Sequence, residues 1–193
     1  FQPERTIYFA YGHDEEVGGN DGAVKIAALL KERGVKLEAV VDEGLAIVDG
    51  IVPGVEVPVA VIGIAEKGLL TLFLEVNSTG GHSSMPPKQT AVGVLARAVA
   101  RLEDNQVPTS ISGPVALMFE HLGPEMNPVF RTLFANLWLF GPVVMAQLEA
   151  KNSTNATLRT TTAVTMISGS PQDNVLPKQA RAAVNFRIHP RDS

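Results

Sequence analysis

The chain has 193 residues, 45% of them hydrophobic and 19% charged, which is the balance of a globular protein rather than a disordered one. Its 16 basic and 20 acidic side chains give a net charge of -4, so it lacks the broad basic field that nucleic-acid binding usually needs. Because there is no cysteine, disulfides and thiolate metal sites are excluded, and any metal must be held by His, Asp or Glu. The lack of cysteine does not fix the cellular compartment.

Both ends of the sequence have the pattern of a piece cut from a longer chain. It opens on Phe1 without a methionine, and an apolar run follows almost directly. Near the other end, Pro190 and Asp192 are typical of the start of a helix, and no helix follows them. We therefore expect a fragment of a larger protein.

The first 66 residues have the pattern of a strand, a helix and a second strand. A β-branched and aromatic run at residues 6–11 predicts a buried strand, and apolar residues at helical spacing predict a helix that begins at Asp21. Gly34 is a stop signal for this helix, and residues 37–41 predict the second strand. Such a βαβ unit predicts part of an α/β domain, with its chemistry just past the strand ends.

After a boundary at residues 65–68 the pattern restarts, and we assign residues 67–193 to a second domain. The elements predicted there are a strand at 70–77, a loop at 78–88, a helix at 89–102, and strands at 160–167 and 180–188. This order is most of a two-layer α+β sandwich that lacks a final helix and strand.

Residues 108–158, rich in Leu, Phe and Met, interrupt the second domain as a predicted helical insertion. Its apolar run at residues 133–140 is too short to cross a bilayer, and Gly141 and Pro142 interrupt the pattern, so we predict no membrane span. We expect it to pack on the sandwich or on a partner subunit. A wall beside a substrate channel and a membrane-surface contact are the alternatives.

Paired carboxylates follow the first predicted strand. On a loop, Glu15 and Glu16 can point to different targets, so that one ligates a metal and the other acts as a general base on water. Asp42 ends the next predicted strand and is a candidate for a further oxygen ligand at the same sheet edge. A solvated turn, or acidic residues favoured by the helix dipole, would give the same pattern.

A resemblance favours the chemical interpretation. Residues 8–19, YFAYGHDEEVGG, resemble the central signature of the dinuclear zinc peptidases and amidohydrolases. This family includes aminoacylase, glutamate carboxypeptidase and succinyl-diaminopimelate desuccinylase, and the carboxypeptidase S branch is the most similar. The resemblance implies that Glu15 is the general base and that Glu16 and Asp42 are zinc ligands. Glu43 is the rival of Asp42, and His13 takes a hydrogen bond that supports the loop rather than a metal.

Two further matches lie in the second domain, which the resemblance identifies as the lid, or dimerisation, domain. Residues 80–86, GGHSSMP, resemble the family's histidine loop, which implies that His82 donates a hydrogen bond to a developing oxyanion. Residues 174–177, NVLP, resemble a substrate-binding motif, which implies that Asn174 and Arg187, thirteen residues later, bind substrate or its carboxylate. An ordinary salt bridge and a turn cap are the alternatives. His189 matches nothing, and we expect it at the surface.

The resemblance implies a hydrolase that cleaves an amide next to a free carboxylate, in a dipeptide or an N-acyl amino acid, with a glutamate acting on a zinc-bridging water. A complete site in this family holds two zinc ions, with cobalt or manganese as alternatives, and the lid commonly pairs two subunits. The family's His-x-Asp pair and distal histidine are absent here. We therefore expect this chain alone to bind zinc weakly and to be inactive. A non-catalytic dimerisation or substrate-binding lid and a pseudoenzyme are the competing hypotheses.

Overall fold

The computed structural model describes residues 2–42 and 46–192. The chain forms two compact units, Phe1–Glu43 and Gly44–Ser193. The domain boundary predicted at residue 66 stays a prediction.

The first unit contains one α-helix, α1, at Ala23–Glu32. Gly34 ends it with a positive φ of 68°, and the N–H of Val35 donates to the carbonyl of Leu30 at 3.0 Å. Together with the bond from Gly34 N to Lys31 O at 3.0 Å, this is a Schellman ending, which satisfies two carbonyls of the last turn. The helix and its glycine stop are confirmed.

The two strands predicted in this unit are wrong. Residues 6–11 and 37–41 form no strand, and their apolar side chains are exposed, with Phe9 at 77%, Tyr11 at 83% and Val41 at 95%. A strand exists only when a neighbour accepts and donates its backbone hydrogen bonds, and the described residues of this unit include no such neighbour. The apolar pattern alone therefore does not produce the βαβ unit.

The second unit is built on a three-stranded antiparallel sheet, in which the strand Gln179–Ile188 lies between the other two. Its strands are β3 at Gly68–Asn77, β5 at Thr161–Ser168 and β7 at Gln179–Ile188. Two short ribbons accompany it: β1 at Ile47–Val48 with β2 at Val59–Ala60, and β4 at Gly81–His82 with β6 at Val175–Leu176. The central strand β7 pairs with β3 over ten residues, from Gly68 opposite Ile188 to Asn77 opposite Gln179.

Helix α2, at Ala91–Asp104, covers one face of this sheet. Its first turn is capped by Thr90, whose side chain accepts the N–H of Gly93 at 3.1 Å. Leu95 of this helix is fully buried and packs with Ala180 and Ala182 of β7. The helix packed on the sheet makes a small mixed α/β structure of two layers. The three strands and the helix that the sequence predicts are confirmed, with bounds within two residues of those predicted.

Four helices lie between α2 and β5. They are α3 at Pro114–Leu122, α4 at Pro128–Ala135, α5 at Leu137–Glu149 and α6 at Asn152–Leu158. No single helix of the described residues has the length and apolar character of a membrane span, and α4 and α5 meet that test only as a pair bent by 111°.

The segment before β3 is attached to these helices. The N–H of Asn127 donates to the carbonyl of Gly54 at 2.7 Å, and Val55 bridges to Met126. Gly54 has a φ of 82°, and a Cβ there would lie 2.5 Å from the ring of Phe130. Only glycine satisfies both the backbone and this close approach.

Candidate functional site

Asp14 organises the acidic loop of the first unit. Its carbonyl accepts the N–H of Gly19 at 2.8 Å, and its side-chain Oδ2 accepts the N–H of Asp21 at 2.7 Å. Gly22 packs against the same carboxylate, so that a Cβ at this position would lie 2.5 Å from Asp14 Oδ1. The loop is therefore held by Asp14, and the hydrogen bond predicted for His13 is not found among residues 2–42 and 46–192.

The predicted base and metal ligand lie on the turn that this loop supports. Glu15 and Glu16 begin a 3-10 turn, Glu15–Val17, and both are exposed, as is Asp42. Within the described residues no group of three or more His, Asp or Glu side chains is arranged to hold a metal ion. Glu43, the rival ligand, lies outside the described residues. Two carboxylates supply the oxygen donors that zinc accepts, but they do not make a closed zinc site.

The histidine loop and the asparagine motif of the second unit are joined in one ribbon. His82 of β4 pairs with Val175 of β6, and Gly81 pairs with Leu176. One residue further, the N–H of Ser83 donates to the carbonyl of Asn174 at 3.0 Å. Two motifs that are about ninety residues apart in the chain are thus brought into register.

The ring of His82 has a defined tautomer. The backbone N–H of Ser84 donates to Nδ1 at 3.2 Å, and the hydroxyl of Ser84 lies 2.8 Å from the same atom. A backbone N–H can only donate, so Nδ1 is an acceptor and carries no proton. In the neutral imidazole the proton then belongs to Nε2, which makes Nε2 a hydrogen-bond donor. His82 is exposed, so this donor is accessible.

Glycine is required beside this histidine. Gly80 has a φ of 71°, and a Cβ there would lie 3.1 Å from the carbonyl oxygen of Leu176. Since both the conformation and the close approach disfavour any side chain, the pair of glycines before His82 sets the geometry of the ribbon.

Arg187 lies on β7, where it is opposite Leu69 of β3 and Thr161 of β5. Its side chain is exposed. Among the described residues it forms no hydrogen bond with His82 or with the exposed Asn174. The structure therefore joins the histidine loop to Asn174, but it links Arg187 to neither of them by a hydrogen bond.

Lys67 is a charged residue that the sequence interpretation missed. Its ammonium donates to the carbonyls of Ala156 and Arg159, both at 2.8 Å. Burial, with the neighbouring charge of Arg187 as a second cause, lowers the pKa of Lys67. The positive charges of Lys67 and Arg187 therefore repel each other, and together they create a positive local field that attracts a carboxylate. Lys67 lies in the stretch interpreted only as a domain boundary, and nothing in that pattern indicates the carbonyls it binds or the neighbouring charge of Arg187.

The expectation for His189 is wrong, because this residue is only 3% exposed. It follows β7, and its N–H donates to Thr160 Oγ1 at 2.8 Å. The same hydroxyl donates to Asp192 Oδ2 at 2.6 Å, while His189 Nδ1 accepts the N–H of Arg191 at 3.3 Å. A continuous set of hydrogen bonds compensates the burial of these polar groups, so His189 is part of the fold.

Comparison with known proteins agrees with this architecture. Residues 64–193 match the model of the peptidase dimerisation domain. The chain is 51% identical over 190 residues to the N-fatty-acyl-amino acid synthase/hydrolase PM20D1.1 of Danio rerio, covering 98% of this chain and 37% of that protein. It is 44% identical over 195 residues to a probable carboxypeptidase S-like 2 of Dictyostelium discoideum, covering 100% of this chain and 37% of that protein.

A more distant relative is carboxypeptidase S of Saccharomyces cerevisiae, 30% identical over 201 residues, or 98% of this chain and 34% of that protein. The chain thus spans little more than a third of the length of these curated relatives. No solved structure matches it significantly. Since the matched model covers well over half of the chain, this protein belongs to the M20 peptidase dimerisation domain family.

Proposed function

We propose that this chain is part of a zinc-dependent metallopeptidase or amidohydrolase that cleaves an amide next to a free carboxylate. The observation that carries the proposal is the ribbon of β4 and β6, in which Ser84 occupies Nδ1 of His82 and leaves Nε2–H as an accessible donor. A donor held in one tautomer before substrate arrives is what oxyanion stabilisation needs, because no reorganisation is required during the reaction.

Each candidate residue has a role in this proposal. Glu15 takes a proton from the attacking water and passes it to the leaving amine, while His82 donates to the oxyanion. Asn174 and Arg187 bind the substrate's free carboxylate, and the charge of Lys67 strengthens the attraction at Arg187.

The proposed metal is zinc, two ions per complete site, with Co or Mn as alternatives. When bound, it would supply Lewis-acid polarisation and activation of water. Glu16 and Asp42 would provide two of its oxygen ligands. Because the described residues offer no third ligand beside them, we expect the isolated chain to bind zinc weakly and to be inactive. Calorimetric titration that found tight binding of two zinc ions would contradict this.

The substrate is proposed as a dipeptide or an N-acyl amino acid. The relative from Danio rerio is named as an N-fatty-acyl-amino acid synthase/hydrolase, and its similarity extends over 98% of this chain, including the helical segment. We therefore favour an N-acyl amino acid with a long acyl chain.

The base and the donor are tested in the full-length protein. Glu15→Gln should lower kcat by at least about a thousandfold while zinc content is retained, since only proton transfer is lost. His82→Ala should lower kcat by about a hundredfold, again with metal retained. His13→Ala is the matched control, because this neighbouring exposed histidine makes no side-chain hydrogen bond within the described residues. Full activity of Glu15→Gln, or equal effects of the two histidine substitutions, would refute these roles.

We also propose that the second unit pairs two copies of the protein, as the family's description as a dimerisation domain suggests. The outer strands β3 and β5 support this, because they carry exposed apolar side chains such as Phe73, Met166 and Ile167. Such a unit also fits the alternative of a non-catalytic module. Sedimentation of the chain tests the pairing, and a strict monomer at high concentration would count against it. A fully active monomeric enzyme would show that pairing is dispensable for catalysis.

A further inference from the structure

The helical segment between α2 and β5 encloses an open cavity with a volume of about 1020 Å³. Helices α3, α4 and α5 supply most of its walls. Ligand sites in proteins span roughly 300–1,000 Å³, so this cavity is as large as those that hold whole small molecules.

The interior of the cavity is apolar. Phe119 of α3 and Phe134 of α4 stack with their ring centroids 4.3 Å apart, and Leu137 and Met145 of α5 line another wall. All four side chains are half-buried, since no residue within the described ranges fills the space beside them. An apolar wall left without packing contacts gains free energy from any alkyl group that displaces water from it.

Two exposed residues supply the charge that lines this cavity. Glu120 and Arg131 are its charged lining residues among those described, and both are exposed. The Nη2 group of Arg131 already donates to the carbonyls of Pro124 and Met126, so this guanidinium holds the turn before α4. Recognition in the interior therefore rests on apolar contact and not on a buried charge.

We infer that this cavity binds the alkyl chain of an amphiphilic carboxylate, with the polar head outside. The inference rests on the proposed function for the identity of the ligand, a long-chain N-acyl amino acid, and assigns its acyl chain to α3, α4 and α5. A concave site formed by consecutive helices of one segment suits a slender flexible chain. Trp138 of α5 is 82% exposed and does not line the cavity, so it belongs to a separate, outer surface.

Two glycines allow the cavity to be filled without breaking the fold. A Cβ added at Gly141 or at Gly123 meets no atom within 4 Å, and both residues line the cavity. Gly141→Trp and Gly123→Trp should therefore occupy this space. Gly63→Trp is the matched control, because Gly63 also has open surroundings but does not line the cavity.

The test is calorimetric binding of N-acetyl-, N-octanoyl- and N-palmitoyl-glycine, and of palmitate, to the chain below their micelle concentrations. Affinity should rise by at least about a hundredfold from the octanoyl to the palmitoyl compound, because each buried methylene adds hydrophobic free energy. Palmitate should bind as tightly as N-palmitoylglycine, because the cavity recognises the alkyl chain and not the head group. Each cavity-filling substitution should weaken palmitoyl binding at least about tenfold, while Gly63→Trp and Trp138→Ala leave it unchanged.

An affinity that is independent of chain length would overturn the inference. So would equal weakening by the cavity-filling and control substitutions, or loss of binding in Trp138→Ala, which would place the lipid on the outer surface. The binding measurement needs no turnover, so the two proposals fail separately. Tight palmitoyl binding without hydrolysis by the full-length protein contradicts the proposed function alone, and hydrolysis of short N-acyl substrates without chain-length-dependent binding contradicts this inference alone.

Discussion

The two units of the chain differ in what holds them together. In the second unit, Leu95, Leu158 and Val184 are completely or almost completely removed from solvent. In residues 2–42 of the first unit, the only buried residues are Gly19 and Gly22. Hydrophobic burial therefore stabilises the second unit, whereas backbone hydrogen bonds around Asp14 hold the loop that carries the paired glutamates. The candidate base Glu15 and the candidate metal ligand Glu16 stand on the less packed of the two units.

The largest expected effect lies in the core of the second unit. Leu95→Ala should lower the free energy of unfolding by ~3 kcal/mol, because it leaves a cavity between α2 and the sheet. Leu29→Ala in α1 is the comparison, since Leu29 is 43% exposed and its truncation should cost below about 1 kcal/mol. Urea unfolding followed by circular dichroism measures both. Similar losses would mean that the two units are equally well packed.

A second substitution tests whether residues before β3 belong energetically to the second unit. Gly54→Ala should cost about 2 kcal/mol, since the new methyl group meets Phe130 and the backbone has a positive φ. Gly50→Ala has the same strained backbone with no atom within 4 Å, and should cost about 1 kcal/mol. The difference between the two losses of unfolding free energy isolates the contact of Gly54 with Phe130 of α4. Equal losses would mean that residues 46–66 are not energetically part of the second unit.

The helix caps sharpen the comparison further. Thr90→Ala should cost ~1 kcal/mol, because it removes the acceptor for the N–H of Gly93, and Thr90→Ser should restore most of it. Helix α1 has no such cap, since its N-cap residue is Gly22 and Asp14 leaves no room for a side chain there. Hydrogen exchange should accordingly show slower amide exchange in α2 than in α1. Faster exchange in α2 would reverse the ranking of the two units.

The smallest effect concerns acid. The hydrogen bond from Thr160 holds the pKa of Asp192 below its ordinary value, against the opposing effect of burial and with help from the charge of Arg191. A lowered pKa in the folded state means that this stabilisation is present above the unfolded pKa and is lost as pH falls through the folded pKa. Asp192→Asn should therefore be less stable than the native protein at neutral pH, and the gap should narrow below about pH 4. A gap that widened in acid would exclude this linkage.

Sequence patterns predicted the second unit well because its strands find partners within it. The apolar runs that form β3 and β7 pair over ten residues, so the sequence pattern and the strand pairing agree. Residues 6–11 have an equally strong apolar pattern but no described neighbouring strand, so they form no strand and are exposed. Composition reports the tendency of a segment to be buried, and pairing decides whether it is.

The candidate site was predictable only in its residue types. Motif spacing indicated His82 and Asn174, but not the ribbon that aligns them, nor the bond from Ser84 that fixes the tautomer. Lys67 was missed, and His189 was wrongly expected at the surface, for a physical reason. Their environments depend on contacts with Arg187 and Thr160, which are distant in sequence, and no local pattern encodes such contacts.

The order of the central sheet has a consequence for assembly. Among the described strands β7 has neighbours on both sides, so β3 and β5 each present one row of unpaired backbone groups. These two rows differ in sequence, and joining one to the other between molecules would build an open-ended filament, whereas joining like to like closes after two copies. Whichever molecule covers the ten-residue row of β3 thereby determines whether the chain forms a bounded pair or an unlimited polymer.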